Sequence, residues 1–171
     1  LIGRIPLPRL EGIPNTGDSP KLINLWSESC APCVAEISEW TKHEKQIRDA
    51  GLDIFAINVG LLDGNQRKTT PITFPFNSGK ASPEILDVLD IFHRTFVELQ
   101  QPLPIPTSFL LDKKGRVAAI YKGHVPLSTL LDDVALLSKP ESEARDAAVP
   151  FPGRWASALF PPQAIRLAES F

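Results

Sequence analysis

Both cysteines of the chain lie in the eight residues Trp26-Ser27-Glu28-Ser29-Cys30-Ala31-Pro32-Cys33, which join two runs of opposite character. Lys21 to Trp26 is apolar enough for a central strand buried on both faces. Val34 to Ala50 is amphipathic at helical spacing, and Gly51 is a natural stop, so the helix is expected over Cys33 to Ala50. Leu52 to Val59 is a second, nearly continuous apolar run. Strand, helix and strand therefore make a right-handed βαβ unit with its cysteines at the first corner.

That corner is where reactive thiols are held. A thiol at a helix N-terminus faces unpaired backbone N–H groups and the positive end of the helix dipole, and both favour thiolate over thiol at Cys30. Cys33 lies one helical turn on, along the same face, so the two sulfurs can close a small disulfide ring. Pro32 falls in the first turn, where its missing N–H costs little. Two other readings of the pair exist. A structural zinc site needs four Cys or His ligands, and the chain offers two Cys with three scattered histidines, His43, His93 and His124. An inert buried pair is the other, and the strand-to-helix corner speaks against it.

With 171 residues, 43% of them hydrophobic, the chain has material for one good core plus tails. A net charge of −2 with mixed signs gives no nucleic-acid footprint. No apolar run reaches membrane-spanning length, so the segment is expected to be soluble, with no anchor visible in it. Leu1 in place of Met points to a processed product or an excised segment.

The rest of the chain reads in order. Pro6, Pro8, Pro14 and Pro20 suit an extended lead-in over residues 1–20, with a short edge strand at Arg9 to Gly12. Asn24 is the one polar residue inside the first strand. On the helix, Val34, Ile37, Trp40 and Ile47 share a side, and Trp40 reads as core packing. Gly60 to Thr73 is polar and irregular, with a turn at Asp63-Gly64. Ser82-Pro83-Glu84 caps and opens a second helix, whose Ile85, Leu86, Leu89, Phe92 and Phe96 recur at core spacing; His93 on it reads as a surface residue. Pro102, Pro104 and Pro106 exclude helix. A turn at Asp112 to Arg116 joins Phe109–Leu111 to Val117–Tyr121 as a hairpin. Leu127 to Ser138 carries a closing amphipathic helix. From Lys139 the composition shifts to prolines and the aromatics Phe151, Trp155, Phe160 and Phe171, which implies an extension packed across the domain or a linker into another module.

The run Lys21 to Cys33, with Ile105-Pro106-Thr107 and the Phe109-Leu110-Leu111-Asp112 strand, resembles the thioredoxin-like superfamily, and within it the extracytoplasmic thiol–disulfide oxidoreductases of the TlpA and ResA type. The resemblance covers about residues 10–138. It implies an α/β fold, a thioredoxin-like three-layer sandwich with a central mixed β-sheet flanked by helices, over residues 21–138, followed by a Pro-rich extension at 139–171. It implies thiol–disulfide exchange with protein partners, more in the manner of a reductase, with Cys30 attacking and Cys33 resolving. Glu36, which by itself reads as a solvated helix-face residue, matches a glutamate that in such proteins lies beside the cysteines with a raised pKa and can move a proton to or from Cys33.

Trp26 matches the tryptophan that supports the active-site loop in this family, and Ala31 and Pro32 fill the loop. Ile105-Pro106 matches its cis-proline, with Thr107 completing a substrate-facing segment. Phe74-Pro75-Phe76 resembles a short strand before the second helix. Ser29 departs from the pattern, since relatives carry an aromatic there. The implied partners are protein thiols and disulfides and an electron-donating redox protein. No cofactor beyond the redox-active disulfide and no metal are implied, and the implied location is the periplasm or cell envelope. The alternatives are a redox-inactive docking module of a larger protein and a peroxiredoxin-type peroxidase. The latter needs an activating Arg, and none lies near Cys30 in sequence. Copper at His124 is disfavoured, because copper-carrying relatives space their cysteines by three residues.

Overall fold

A computed structural model describes residues 5–8, 10, 12–13, 18–60, 74–97, 103–140 and 142–143. Among these residues six strands and four helices follow one another as β1 (Ile5–Pro6), β2 (Lys21–Trp26), α1 (Ala31–Lys42), α2 (Glu44–Asp49), β3 (Asp53–Asn58), β4 (Asn77–Lys80), α3 (Pro83–Val97), β5 (Thr107–Leu111), β6 (Arg116–Lys122) and α4 (Leu127–Leu136). The strands form one mixed sheet in the order β1-β6-β5-β2-β3-β4. β2 runs parallel to β3 and antiparallel to β5, so the strand before the cysteines is central.

Alternation along each strand sorts the core into two faces. Ile23 and Leu25 of β2, with Phe55, Ile57, Phe109 and Leu111, meet Ile85, Leu89 and Phe92 of α3. Leu22, with Ile54, Leu110 and Ala119, meets Trp40 of α1, Ile47 of α2 and Leu127, Leu130 and Val134 of α4. Helices therefore cover both faces, and β2 lies between them.

Several expectations shift. The helix expected over Cys33 to Ala50 begins earlier, at Ala31, and is broken at His43. The His43 backbone departs from helical values, at φ −112° and ψ 25°, and its Nδ1 lies 2.9 Å from the Glu39 carbonyl, competing for the helix's own acceptor. An edge strand lies at Ile5–Pro6, paired with β6; of the strand expected at Arg9 to Gly12, Arg9 and Glu11 lie outside the described residues, and Leu10 packs into the α3-side core. Phe74-Pro75-Phe76 is not a strand; β4 starts just after it. The two rings instead meet edge-on at 5.2 Å, and Arg48 Nη2 donates to the Pro75 carbonyl. His93 is buried, not on the surface: it lies four residues beyond Leu89 and so joins the stripe that faces the sheet. The Asp63-Gly64 turn, Phe96's packing and the aromatics beyond residue 143 lie outside the described residues.

Candidate active site at the end of the central strand

β2 ends at Trp26, and a three-residue turn carries the chain to Cys30. The buried Ser27 accepts a hydrogen bond from the Ser29 backbone N–H at 3.2 Å, and its carbonyl accepts from the Cys30 N–H at 3.1 Å. Cys30 is the N-cap of α1, and its Sγ accepts the Cys33 N–H at 3.2 Å. This is the bond an N-cap oxygen would make, satisfied by sulfur. The cysteines are joined as a disulfide, with their Cα atoms 5.2 Å apart. Their exposure differs: Cys33 is fully buried, while Cys30 is partly open beside the exposed Ala31 and Pro32.

Trp26, Cys33, Ile37 and Ala56 form a small cluster of their own, against which Cys30 and Ile105 pack. The Pro106 loop is thereby brought to the cysteines. The Ile105–Pro106 peptide is cis. Thr107 Oγ1 donates to the Pro104 carbonyl at 2.7 Å, and the Gly123 N–H donates to the Pro106 carbonyl at 2.8 Å.

Glu36 lies one turn after Cys33 and is fully buried. Its Oε1 accepts the Val125 N–H at 2.8 Å and its Oε2 accepts Asn24 Nδ2 at 3.0 Å. Asn24 Nδ2 also donates to Ser108 Oγ at 2.9 Å, its pairing position on β5. Burial pushes the Glu36 carboxyl from 4.5 up to about 7, against the opposing pull of the Val125 N–H, His124 and Asn24. A carboxyl poised there can hold or release a proton near neutral pH.

Sequence reasoning noted Asn24 without assigning it a partner, and missed Ser108 and the Val125 N–H. Ser108 carried a readable signal, since it is the polar residue that register sets opposite Asn24. The backbone donor carried none. His124 pairs with Glu39, Nε2 to Oε2 at 3.1 Å, and among the described residues no cluster of three Cys, His, Asp or Glu side chains could hold a metal. No helix among them is long and apolar enough to cross a membrane.

A model of the AhpC/TSA family matches residues 9–120. Thiol-disulfide oxidoreductase ResA of Bacillus subtilis (strain 168) is 27% identical over 120 residues, 70% of this chain and 62% of its own length. ResA of Geobacillus thermodenitrificans (strain NG80-2) is 30% identical over 101 residues, 59% of this chain and 53% of its own length. The chain thus spans less than two thirds of these curated relatives.

Among solved structures, a thiol:disulfide interchange protein of the thioredoxin family from Chlorobium tepidum TLS superposes with a TM-score of 0.56 at 22% identity, covering 78% of this chain and 96% of that one. A secreted thiol-disulfide isomerase from Corynebacterium glutamicum gives 0.50 at 21%, covering 71% of each. At such identities the likeness is one of fold, and the fold is thioredoxin-like.

Proposed function

The chain belongs to the AhpC/TSA family, and on that premise we propose that it is a thiol–disulfide oxidoreductase whose Cys30–Cys33 couple exchanges with protein partners. The observation that carries the reading is the asymmetry of the pair: a partly open Cys30 at the helix N-cap, and a buried Cys33 one turn before a carboxyl with proton affinity near neutrality.

In the reduced protein the helix N-terminus and the Cys33 N–H stabilise a Cys30 thiolate. That thiolate attacks one sulfur of a partner disulfide, forming a mixed disulfide and expelling the partner's other sulfur as thiolate. Glu36, as carboxylate, takes the proton of Cys33. The Cys33 thiolate then attacks Cys30 Sγ, which breaks the mixed disulfide and releases the second partner thiolate. The partner gains two electrons and the chain is left as its disulfide.

Trp26, Ala31 and Pro32 support the loop. Ile105 presents its backbone beside the cysteines, where a substrate strand would pair, and is held there by Pro106, whose carbonyl is tied to the Gly123 N–H, and by Thr107 in the sheet. Operation as a reductase, recharged by an electron-donating redox protein, is part of the proposal, as are an extracytoplasmic location, residues 21–138 as the working unit and the need for no cofactor beyond the disulfide.

Cys33→Ser tests it. Mixed disulfides through Cys30 should accumulate in an extract of the source cell and dissolve on adding dithiothreitol. If Cys30 forms none, and its alkylation follows an ordinary thiol pKa, the chain is a docking module and not an exchanger.

A further inference from the structure

Between β6 and α4 the chain makes a short crossing, Gly123-His124-Val125, in which each residue grips a different part of the site. The Gly123 N–H holds the Pro106 carbonyl at 2.8 Å, from a backbone with φ +81°, where only glycine is at ease. His124 reaches Glu39 on the outer side of α1 at 3.1 Å. The Val125 N–H holds Glu36 on the inner side at 2.8 Å. Glu36 and Glu39 are three residues apart on one helix, so His124 and Val125 form two rungs across it. The inner rung is buried; the outer one is open to solvent, its side chains 39% and 34% exposed.

We propose that Gly123–Val125 is a clamp, and that His124, held by Glu39, is a positioning residue that keeps the Val125 N–H on Glu36 and so governs when Glu36 takes the proton from Cys33. This rests on the exchange reading above. The buried Val125 side chain sits in the core with Trp40, which holds the inner end of the crossing, and the outer end is held by His124 on Glu39.

The titratable groups around Glu36 are His124 from the crossing, with Glu39 and Cys33 from its own helix; β2 and β5 present uncharged Asn24 and Ser108. Around His124 they are Glu39 and Glu36. A charge-assisted N–H bond stabilises the carboxylate over the acid. Loosening the rung weakens that bond, so Glu36 holds its proton to higher pH.

The test is the pH profile of single-turnover reduction of oxidised glutathione by the reduced chain. In the unmutated protein the profile should have a midpoint that Glu36→Gln abolishes. His124→Ala should move that midpoint up by about one pH unit, and His124→Gln, which keeps a donor for Glu39, should bring back most of the shift, the remainder being the direct pull of His124 on Glu36. In a Glu39→Ala background, His124→Ala should move it by less than in the parent, because only the direct pull of His124 on Glu36 is then lost. An unmoved midpoint in His124→Ala, or a His124→Gln variant that behaves like the alanine, overturns the clamp while leaving exchange intact. A chain that reduces no glutathione at all overturns the exchange reading, and the clamp falls with it. His124 and Glu39 are surface side chains, so near-UV circular dichroism should be unchanged in each variant.

Discussion

A carboxyl with raised proton affinity makes folding depend on pH in a definite direction. Glu36 binds its proton more tightly in the folded chain than in the unfolded one, about 7 against 4.5. Its contribution to stability is therefore complete below pH 4.5 and is lost as pH rises through 7. Each tenfold change in proton affinity is worth about 1.4 kcal/mol, so the loss is about 3 kcal/mol. Glu36→Gln should remove this component: urea unfolding at several pH values should give a variant whose stability no longer falls between pH 5 and 7 as the Glu36 contribution makes the parent's fall, leaving the opposite slope of His93 below pH 6.5.

Asn24 suits either state of its neighbour. Its Nδ2 donates to the carboxylate, and its Oδ1, buried without a partner among the described residues, can accept from the protonated acid once the amide turns over. Asn24→Ala should raise the Glu36 midpoint in the glutathione profile and slow exchange at neutral pH; an unmoved midpoint would leave Asn24 a packing residue. The cysteines and Glu36 were legible as a set through spacing and family likeness. The hydrogen-bond partners of Glu36 were not, because they are two groups remote in sequence, the Asn24 amide and the Val125 N–H.

At the scale of elements, legibility follows burial on one stripe or two. β2 and β3, sealed on both faces, and α4, with its regular Leu127, Leu130 and Val134, fell where apolar runs and periodicity put them. Boundaries failed where a polar group competes locally: His43 breaks one expected helix into α1 and α2, and Pro75, lacking an N–H, delays β4 to Asn77. His93 was misread because its charge type outweighed its position.

On α3 His93 is buried, and neither ring nitrogen has a hydrogen-bond partner among the described residues. Burial, then the Lys122 and Arg94 cations, hold its pKa below 6.5 against the pull of Asp90. The unfolded chain takes up that proton first, so stability falls as pH drops below 6.5. His93→Leu should flatten the acid side of the stability curve and raise stability at neutral pH by about 1–2 kcal/mol, since an unpartnered polar group leaves the core. By contrast Trp40→Ala, at the centre of the helix-side core, should cost about 3–5 kcal/mol. Lys45→Ala, which removes only an exposed helix pair with Asp49, should cost under about 0.5 kcal/mol.

The whole molecule separates its chemistry from its bracing along the strands. The cysteines stand beyond the C-terminal end of β2. Beyond its other end lies a groove lined by Pro20, Asp112, Leu131 and Leu137. Asp112 braces that end: its Oδ1 accepts the Lys114 and Arg116 N–H groups and its Oδ2 accepts Arg116 Nε at 2.8 Å. Burial works against the charged form, but these donors hold the carboxyl below its ordinary value, so it stabilises the fold above pH 3.8 and stops doing so as pH falls through its lowered pKa.

Asp112→Ala should cost about 1–3 kcal/mol, with the glutathione profile unchanged. Ser108, which touches the Glu36 network through Asn24, lies on β5 four residues before Asp112, the residue that follows the strand, a separation of about 13 Å at the rise of a strand. Among the described residues the two groups share no hydrogen-bond partner. Their substitutions should therefore add: at pH 7 the stability change of the Glu36→Gln, Asp112→Ala double variant should equal the sum of the singles within about 0.5 kcal/mol. A larger discrepancy, measured by the same urea titrations, would mean that β5 transmits strain from the bracing end to the cysteines, and that the two ends are one cooperative device.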